Sequence, residues 1–164
     1  MKKLEAVIFD MDGVLFDTER MSCECCFEAA KQLGLTLAEE AVYGGCGRKE
    51  APLRRHIMGT EGPWDPNGTF PYEKYRERFM ALFQESLERE LPIKKGVREL
   101  LEYLKEKQIK TAIASSTKGP LVRKHLERTG LSGYFQEIVS GDMVEKSKPE
   151  PDIYLKACET VGVL

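Results

Sequence analysis

Two aspartates, Asp10 and Asp12, follow directly on a largely apolar run, Leu4 to Phe9, and are themselves followed by Gly13. The run reads as a buried strand, so the pair falls at a strand's carboxyl end, where ligands sit in open α/β sheets. Carboxylates this close repel one another and are costly to desolvate. A cation, or a proton held by one of the two, is the expected compensation. Gly13 lets the chain bend after the strand, so that both groups can converge on one site. Two other places carry polar groups of interest. A second strand, Ile109 to Ala114, closes on the apolar Ala112-Ile113-Ala114 and ends in the hydroxyls of Ser115, Ser116 and Thr117, which can cap a helix opened by Pro120. Lys146 and Lys148 flank Ser147 just before Pro149, where the plain reading is solvated lysines at a helix start.

The elements needed to hold these groups are legible in outline. After the first strand, Asp17 or Thr18 can cap a helix running from about Glu19 to Leu33 and stopped by Gly34. Short helices are expected over 37–43 and 48–58, separated by Gly44-Gly45-Cys46-Gly47. A loop containing Trp64 is expected from Gly59 to Pro71, and a charged amphipathic helix from Tyr72 to Glu90 with Tyr75, Phe79, Leu82 and Phe83 on one face. From Pro92 the pattern changes to alternating helix and strand, the signature of a parallel sheet with covering helices. Val97, Leu100, Leu101 and Leu104 form one helical stripe. Ile109 to Ala114 is a buried strand, Pro120 opens a helix that Gly130 closes, Glu137 to Ser140 is a short strand, and Pro151 to Val161 is a further helix.

Asp10-Met11-Asp12-Gly13-Val14-Leu15, continued by Phe16-Asp17-Thr18-Glu19, resembles the nucleophile motif of the haloacid dehalogenase-like hydrolases, in their phosphatase and phosphoglucomutase branch. The resemblance implies phosphoryl transfer. Asp10 would attack phosphorus to give an aspartyl-phosphate, and Asp12 would protonate the leaving oxygen and then deprotonate the hydrolytic water. Mg2+ is implied as cofactor, on the Asp10 carboxylate and the Asp12 carbonyl. Ser115 matches the family's second motif and would bind a phosphoryl oxygen, with Ser116 beside it as a further substrate contact. Lys148, directly before Pro149-Glu150-Pro151, resembles the third motif, with Lys146 as the fallback; its ammonium would keep Asp10 ionised and offset repulsion from the phosphate. Gly45-Cys46-Gly47-Arg48 resembles the specificity loop of sugar-phosphate members, where Arg48 would hold a second anionic group. The implied fold is α/β: a Rossmann-like parallel-sheet core from residues 1–15 and 93–164, with an α-helical cap, 16–92, inserted between two hinges that let it close over substrate.

Two departures from the family pattern matter. Ser22 stands where β-phosphoglucomutases of this branch carry a histidine, which favours a phosphatase of small phosphorylated metabolites over a phosphohexomutase. The fourth motif, an acidic run supplying further Mg2+ ligands, is not present before Val161-Gly162-Val163-Leu164. The expectation is therefore an incomplete core whose full-length parent is active while the 164 residues alone are not; a silent phosphate-binding protein is the alternative from outside the enzymes.

Composition excludes other classes. A formal net charge of -2, from 25 basic and 27 acidic residues, gives no electrostatic footprint for nucleic acid. No apolar stretch reaches membrane-spanning length and no signal-peptide core precedes the first strand, so no membrane partner and a cytoplasmic location are expected. The five cysteines, with Cys23, Cys25 and Cys26 crowded and Cys46 and Cys158 isolated, read as reduced helix residues rather than a disulfide or zinc framework. His56 and His125, single histidines among charged residues, are expected at surface or boundary positions.

Overall fold

The computed structural model describes residues 4–46, 48, 50–58, 69–146 and 148–163. The chain divides into two compact units, one made of Met1–Asp17 with Leu91–Leu164 and the other of Thr18–Glu90.

In the first unit, Ala6–Phe9 (β1), Lys110–Ser115 (β2) and Glu137–Ser140 (β3) form a parallel sheet in the order β1-β2-β3. The register runs from Ala6 opposite Lys110 to Phe9 opposite Ile113, and from Ala112 opposite Glu137 to Ser115 opposite Ser140. Thr111 to Ser115 are all buried, as a central parallel strand covered on both faces requires. β1 corrects the sequence expectation of a buried strand. It lies at an edge of the described sheet, so Ala6, Val7 and Ile8 are only half-buried and Leu4 is 56% exposed, while Phe9 is closed off.

Helices Val97–Glu106 (α5), Gly119–Thr129 (α6) and Asp152–Thr160 (α7) cover this sheet. In α7, Ile153 and Ala157 pack on Ala114 and Val139. The expected stripe of α5 is narrower than its apolar residues: Val97, Leu101 and Leu104 are buried, but Leu100 turns out to solvent at the stripe's margin. Gly130 ends α6 in the left-handed conformation, φ +68°, which a Cβ would disfavour.

In the second unit, Thr18–Gln32 (α1) packs along Tyr72–Arg89 (α4), and the short helices Glu39–Tyr43 (α2) and Glu50–Ile57 (α3) complete it. Met21, Cys25, Ala29 and Ala30 from α1 meet Tyr72, Tyr75 and Phe79 from α4, with Ile57 from α3. Fully burying one large apolar side chain contributes about 1.5–3 kcal/mol. An exposed i,i+4 pair such as Arg20–Glu24 adds roughly 0.3–0.5 kcal/mol, so packing decides the arrangement. The expected loop with Trp64 falls on residues 59–68, outside the described ones.

Both histidines contradict the surface expectation. His56 is 7% exposed, its Nε2 3.1 Å from the Ala41 carbonyl oxygen, and His125 is 4% exposed with the ring of Phe16 edge-on to it. Each sits on a helix whose charged neighbours point outward while the ring faces the core, a distinction that local composition does not carry.

Candidate active site

β1 delivers Asp10 and Asp12 and then turns sharply. Gly13 adopts φ +73°, and its amide donates to the Phe16 carbonyl at 3.0 Å, while the Leu15 amide donates to Met11 at 2.9 Å. The bend expected from the glycine is therefore present. Met11, between the aspartates, is fully buried and anchors the turn, as are Leu15 and Phe16. The segment leading back into this unit reinforces it: the Asp17 amide donates to Pro92, the Lys94 amide to Leu15, and Lys94 Nζ to the Gly13 carbonyl at 3.1 Å.

The cation that the carboxylate pair demands is supplied by the chain itself. Lys148 Nζ lies 2.8 Å from Asp10 Oδ1, and the same oxygen accepts the Met11 amide at 2.7 Å. Lys148 is further fixed by a bond to the Ala114 carbonyl at 2.9 Å and by the Tyr154 ring, 4.9 Å from its ammonium. Lys146, the alternative, is exposed and has no such bond to Asp10 among the described residues. With Asp10 and Lys148 side chains 32% and 22% exposed, the pair is partly withdrawn from water but still reachable from it.

Asp12 is held from β2. Thr117 Oγ1 donates to Asp12 Oδ2 at 3.0 Å, and the Thr117 amide in turn donates to Ser115 Oγ at 3.1 Å. Ser115 itself is fully buried at the end of β2, and Ser116 points to solvent. Behind them Gly141 allows the turn after β3 to touch that after β2, since a Cβ there would stand 2.4 Å from the Ser116 carbonyl oxygen. Asp142 ties the two turns together by accepting the Gly119 amide at 3.1 Å. Its carboxyl is held below the usual range by hydrogen bonds, the largest contribution coming from Ser140. Thr117 is the contact to Asp12 that sequence reading passed over. The available signal was its position two residues after Ser115 in a run of three hydroxyls, but nothing local says which of the three faces the carboxylates.

Of the residues singled out by sequence, Asp10, Asp12, Ser115 and Lys148 thus gather at the carboxyl ends of β1 and β2, with Ser116 alongside. Arg48 belongs to the helical unit, where its Nε donates to the Gly44 carbonyl at 2.7 Å. Its neighbours Gly47 and Lys49 in the same motif lie outside the described residues, as does Ser147 beside Lys148. Among the described residues there is no group of three His, Cys, Asp or Glu side chains able to hold a metal ion, and no helix long and apolar enough to cross a membrane.

Comparison with known proteins bears on this arrangement. The family model described as haloacid dehalogenase-like hydrolase matches residues 7–164. The chain belongs to this hydrolase family. A phosphorylated carbohydrates phosphatase of Thermotoga maritima is 34% identical over 164 residues, which span 98% of this chain and 72% of that protein. Among solved structures, a candidate β-phosphoglucomutase from Thermotoga maritima superimposes with a TM-score of 0.73 at 35% identity, over 98% of this chain and 72% of that one. A CbbY variant from Rhodobacter sphaeroides, solved with xylulose-1,5-bisphosphate, gives a TM-score of 0.59 at 27% identity, over 97% of this chain and 73% of that one. The α/β fold and the hydrolase resemblance read from the sequence hold, and the named relatives of this haloacid dehalogenase-like chain include phosphatases.

Proposed function

We propose that this protein is a Mg2+-dependent phosphatase of small phosphorylated metabolites, with Asp10 as nucleophile. The observation that carries this reading is the 2.8 Å contact between Lys148 and Asp10. A nucleophilic carboxylate must stay ionised as a dianionic phosphate approaches, and a fixed ammonium on one of its oxygens favours that state and lowers the repulsion. Asp10 attacks phosphorus, and the alkoxide leaves with a proton from Asp12. The acyl phosphate on Asp10 is then cleaved by water whose proton Asp12 takes back, so that one carboxyl serves as acid and base in turn. The Thr117 hydroxyl on Asp12 Oδ2 keeps the other oxygen aimed at the reacting groups. Ser115, its neighbouring amides and Lys148 stabilise the charge on the equatorial phosphoryl oxygens. In the helical unit, Arg48 holds a second anionic group of the substrate.

The donor set fits the implied cation. Mg2+ takes oxygen ligands and is commonly held by one or two carboxylates together with substrate phosphate and water, rather than by an all-protein cage. The Asp10 carboxylate and the Asp12 carbonyl are such donors. When bound, the ion would supply positive charge to the phosphoryl oxygens. Transfer to water is favoured over transfer between sugar hydroxyls because Ser22 occupies the position of the mutase histidine.

The test is turnover of p-nitrophenyl phosphate with Mg2+ by the natural protein, in the length its cell makes. Asp10→Asn should lose activity by orders of magnitude while its circular dichroism stays unchanged, because only the attacking oxygen is replaced. Wild-type turnover by that variant would refute the assignment of the nucleophile.

A further inference from the structure

The helical unit holds a cavity of about 340 Å³ whose lining includes, besides Arg48, thiols for which the reaction above has no use. Three cysteines line it: Cys23 and Cys26 from α1, and Cys46 from the turn after α2. Sequence reading treated Cys46 as isolated. In space its Sγ is 3.2 Å from that of Cys23, across 23 residues, and both are free thiols. The sulfurs of a disulfide sit about 2.05 Å apart, so an approach of little more than 1 Å would join them. Cys25 turns toward α4, its sulfur 3.6 Å from Ser86 Oγ, and Cys158 belongs to the other unit.

The two thiols differ in a way that assigns them separate tasks. Cys46 is exposed and can meet a small oxidant, whereas Cys23 is 8% exposed on the inner face of α1. Burial, reinforced by the neighbouring Cys46 sulfur, pushes the Cys23 thiol up to about 12, so it stays protonated at neutral pH and is a poor first attacker.

We propose that Cys23 and Cys46 form a reversible oxidation site that takes a peroxide and closes to a disulfide, linking the turn that leads to Arg48 covalently to α1. The Cys46 sulfur attacks the peroxide, cleaving the O–O bond and releasing water, and becomes a sulfenic acid. The Cys23 sulfur then attacks the sulfenic sulfur; the S–S bond forms, and the Cys23 proton leaves with the hydroxyl as a second water. Two thiols are oxidised by two electrons and one peroxide is reduced to two waters. In reducing surroundings the pair rests as thiols, and a reductant reopens it by thiol–disulfide exchange.

This chemistry does not depend on the reaction the other unit performs, and its test reads sulfur alone. The intact protein is treated with hydrogen peroxide, alkylated, digested and analysed by mass spectrometry. The expected product is one intramolecular link between the peptides bearing Cys23 and Cys46, lighter by two hydrogens than the reduced pair and reversed by dithiothreitol. Cys46→Ser, at an exposed position that leaves the core of the unit untouched, should lose the link, while Cys26→Ser should keep it. Conversion of Cys46 to sulfinic or sulfonic acid without a link would overturn the proposal. So would a link that disappears in Cys26→Ser, or one that joins two molecules.

Discussion

The turn after β1 and the turn after α2 are both glycine-flanked and both present charge, yet they are built on opposite plans. At the first, each functional group is tied to a partner distant in sequence: Asp10 to Lys148, Asp12 to Thr117, the Gly13 carbonyl to Lys94. At the second, the backbone bonds of the described residues are local, from Gly44 to Glu40, Gly45 to Val42 and Cys46 to Tyr43, and Arg48 Nε reaches back four residues to Gly44. Groups that must meet a reacting atom within a few tenths of an ångström need such long-range ties, since positioning is where catalysis is gained or lost. A group that only selects among substrates needs charge and reach, and a locally built turn is free to vary without disturbing the sheet.

The comparison breaks most visibly at Lys148. Lys148→Met keeps the length of the side chain but removes the charge, leaving two adjacent carboxylates without a cation. Loss of one transition-state donor costs about 10²–10³ in kcat, and the stability loss should be near 1–2 kcal/mol. Phosphate-release kinetics and urea unfolding, run side by side, measure both; a variant that keeps full turnover would show that the Asp10 contact is structural. Arg48→Ala should give the contrasting result. For substrates with a second anionic group, KM should rise roughly tenfold, about 1.4 kcal/mol, with kcat little changed, and stability should move by less than about 0.5 kcal/mol. Equal losses in kcat for substrates with and without a second charge would place Arg48 in the chemistry and end the contrast.

The long-range plan explains what sequence could and could not disclose. Asp10, Asp12 and Gly13 were legible because strand, carboxylates and turn are contiguous, and the family motif lies on that stretch. The strand and helix order of the sheet unit followed from periodicity for the same reason. Thr117 was not legible as the partner of Asp12, because three hydroxyls in a row differ only in the direction each leaves β2, and direction is set by where Gly141 lets the next turn approach. The half-burial of Ala6 to Ile8 was not legible because an apolar run of about this length looks the same whether one neighbour or two cover it. Cys46 looked isolated because the pairing of α2's turn with α1 is tertiary. Leu100 and the two histidines were misplaced for a related reason: a helix's composition gives the width of its apolar face only approximately, and a residue at the margin goes where packing leaves room.

His125 offers the smallest and sharpest check on how firmly the turn after β1 is held from beneath. Its ring packs edge-on to Phe16, the fully buried residue that closes the turn, and its Nδ1 is buried with no hydrogen-bond partner among the described residues. Burial lowers its pKa from the ordinary 6.5; the Asp12 carboxylate pulls the other way without prevailing, and Arg128 and Lys124 add to the lowering. Between the depressed folded pKa and 6.5 the unfolded chain therefore binds more protons than the folded one, so stability rises with pH across that window. The contribution is complete above 6.5 and is lost as pH falls through the window, because protonating the ring would bury a charge beneath the turn. One proton sets an upper bound of about 1.4 kcal/mol per pH unit. His125→Phe keeps a ring against Phe16 and removes the titration, so urea unfolding at pH 7.5, 6.5 and 5.5 should show a flatter pH dependence for the variant than for the wild type. Parallel pH profiles for the two proteins would mean that the ring is hydrated or partnered in solution, and that the floor of the turn after β1 is looser than its packing implies.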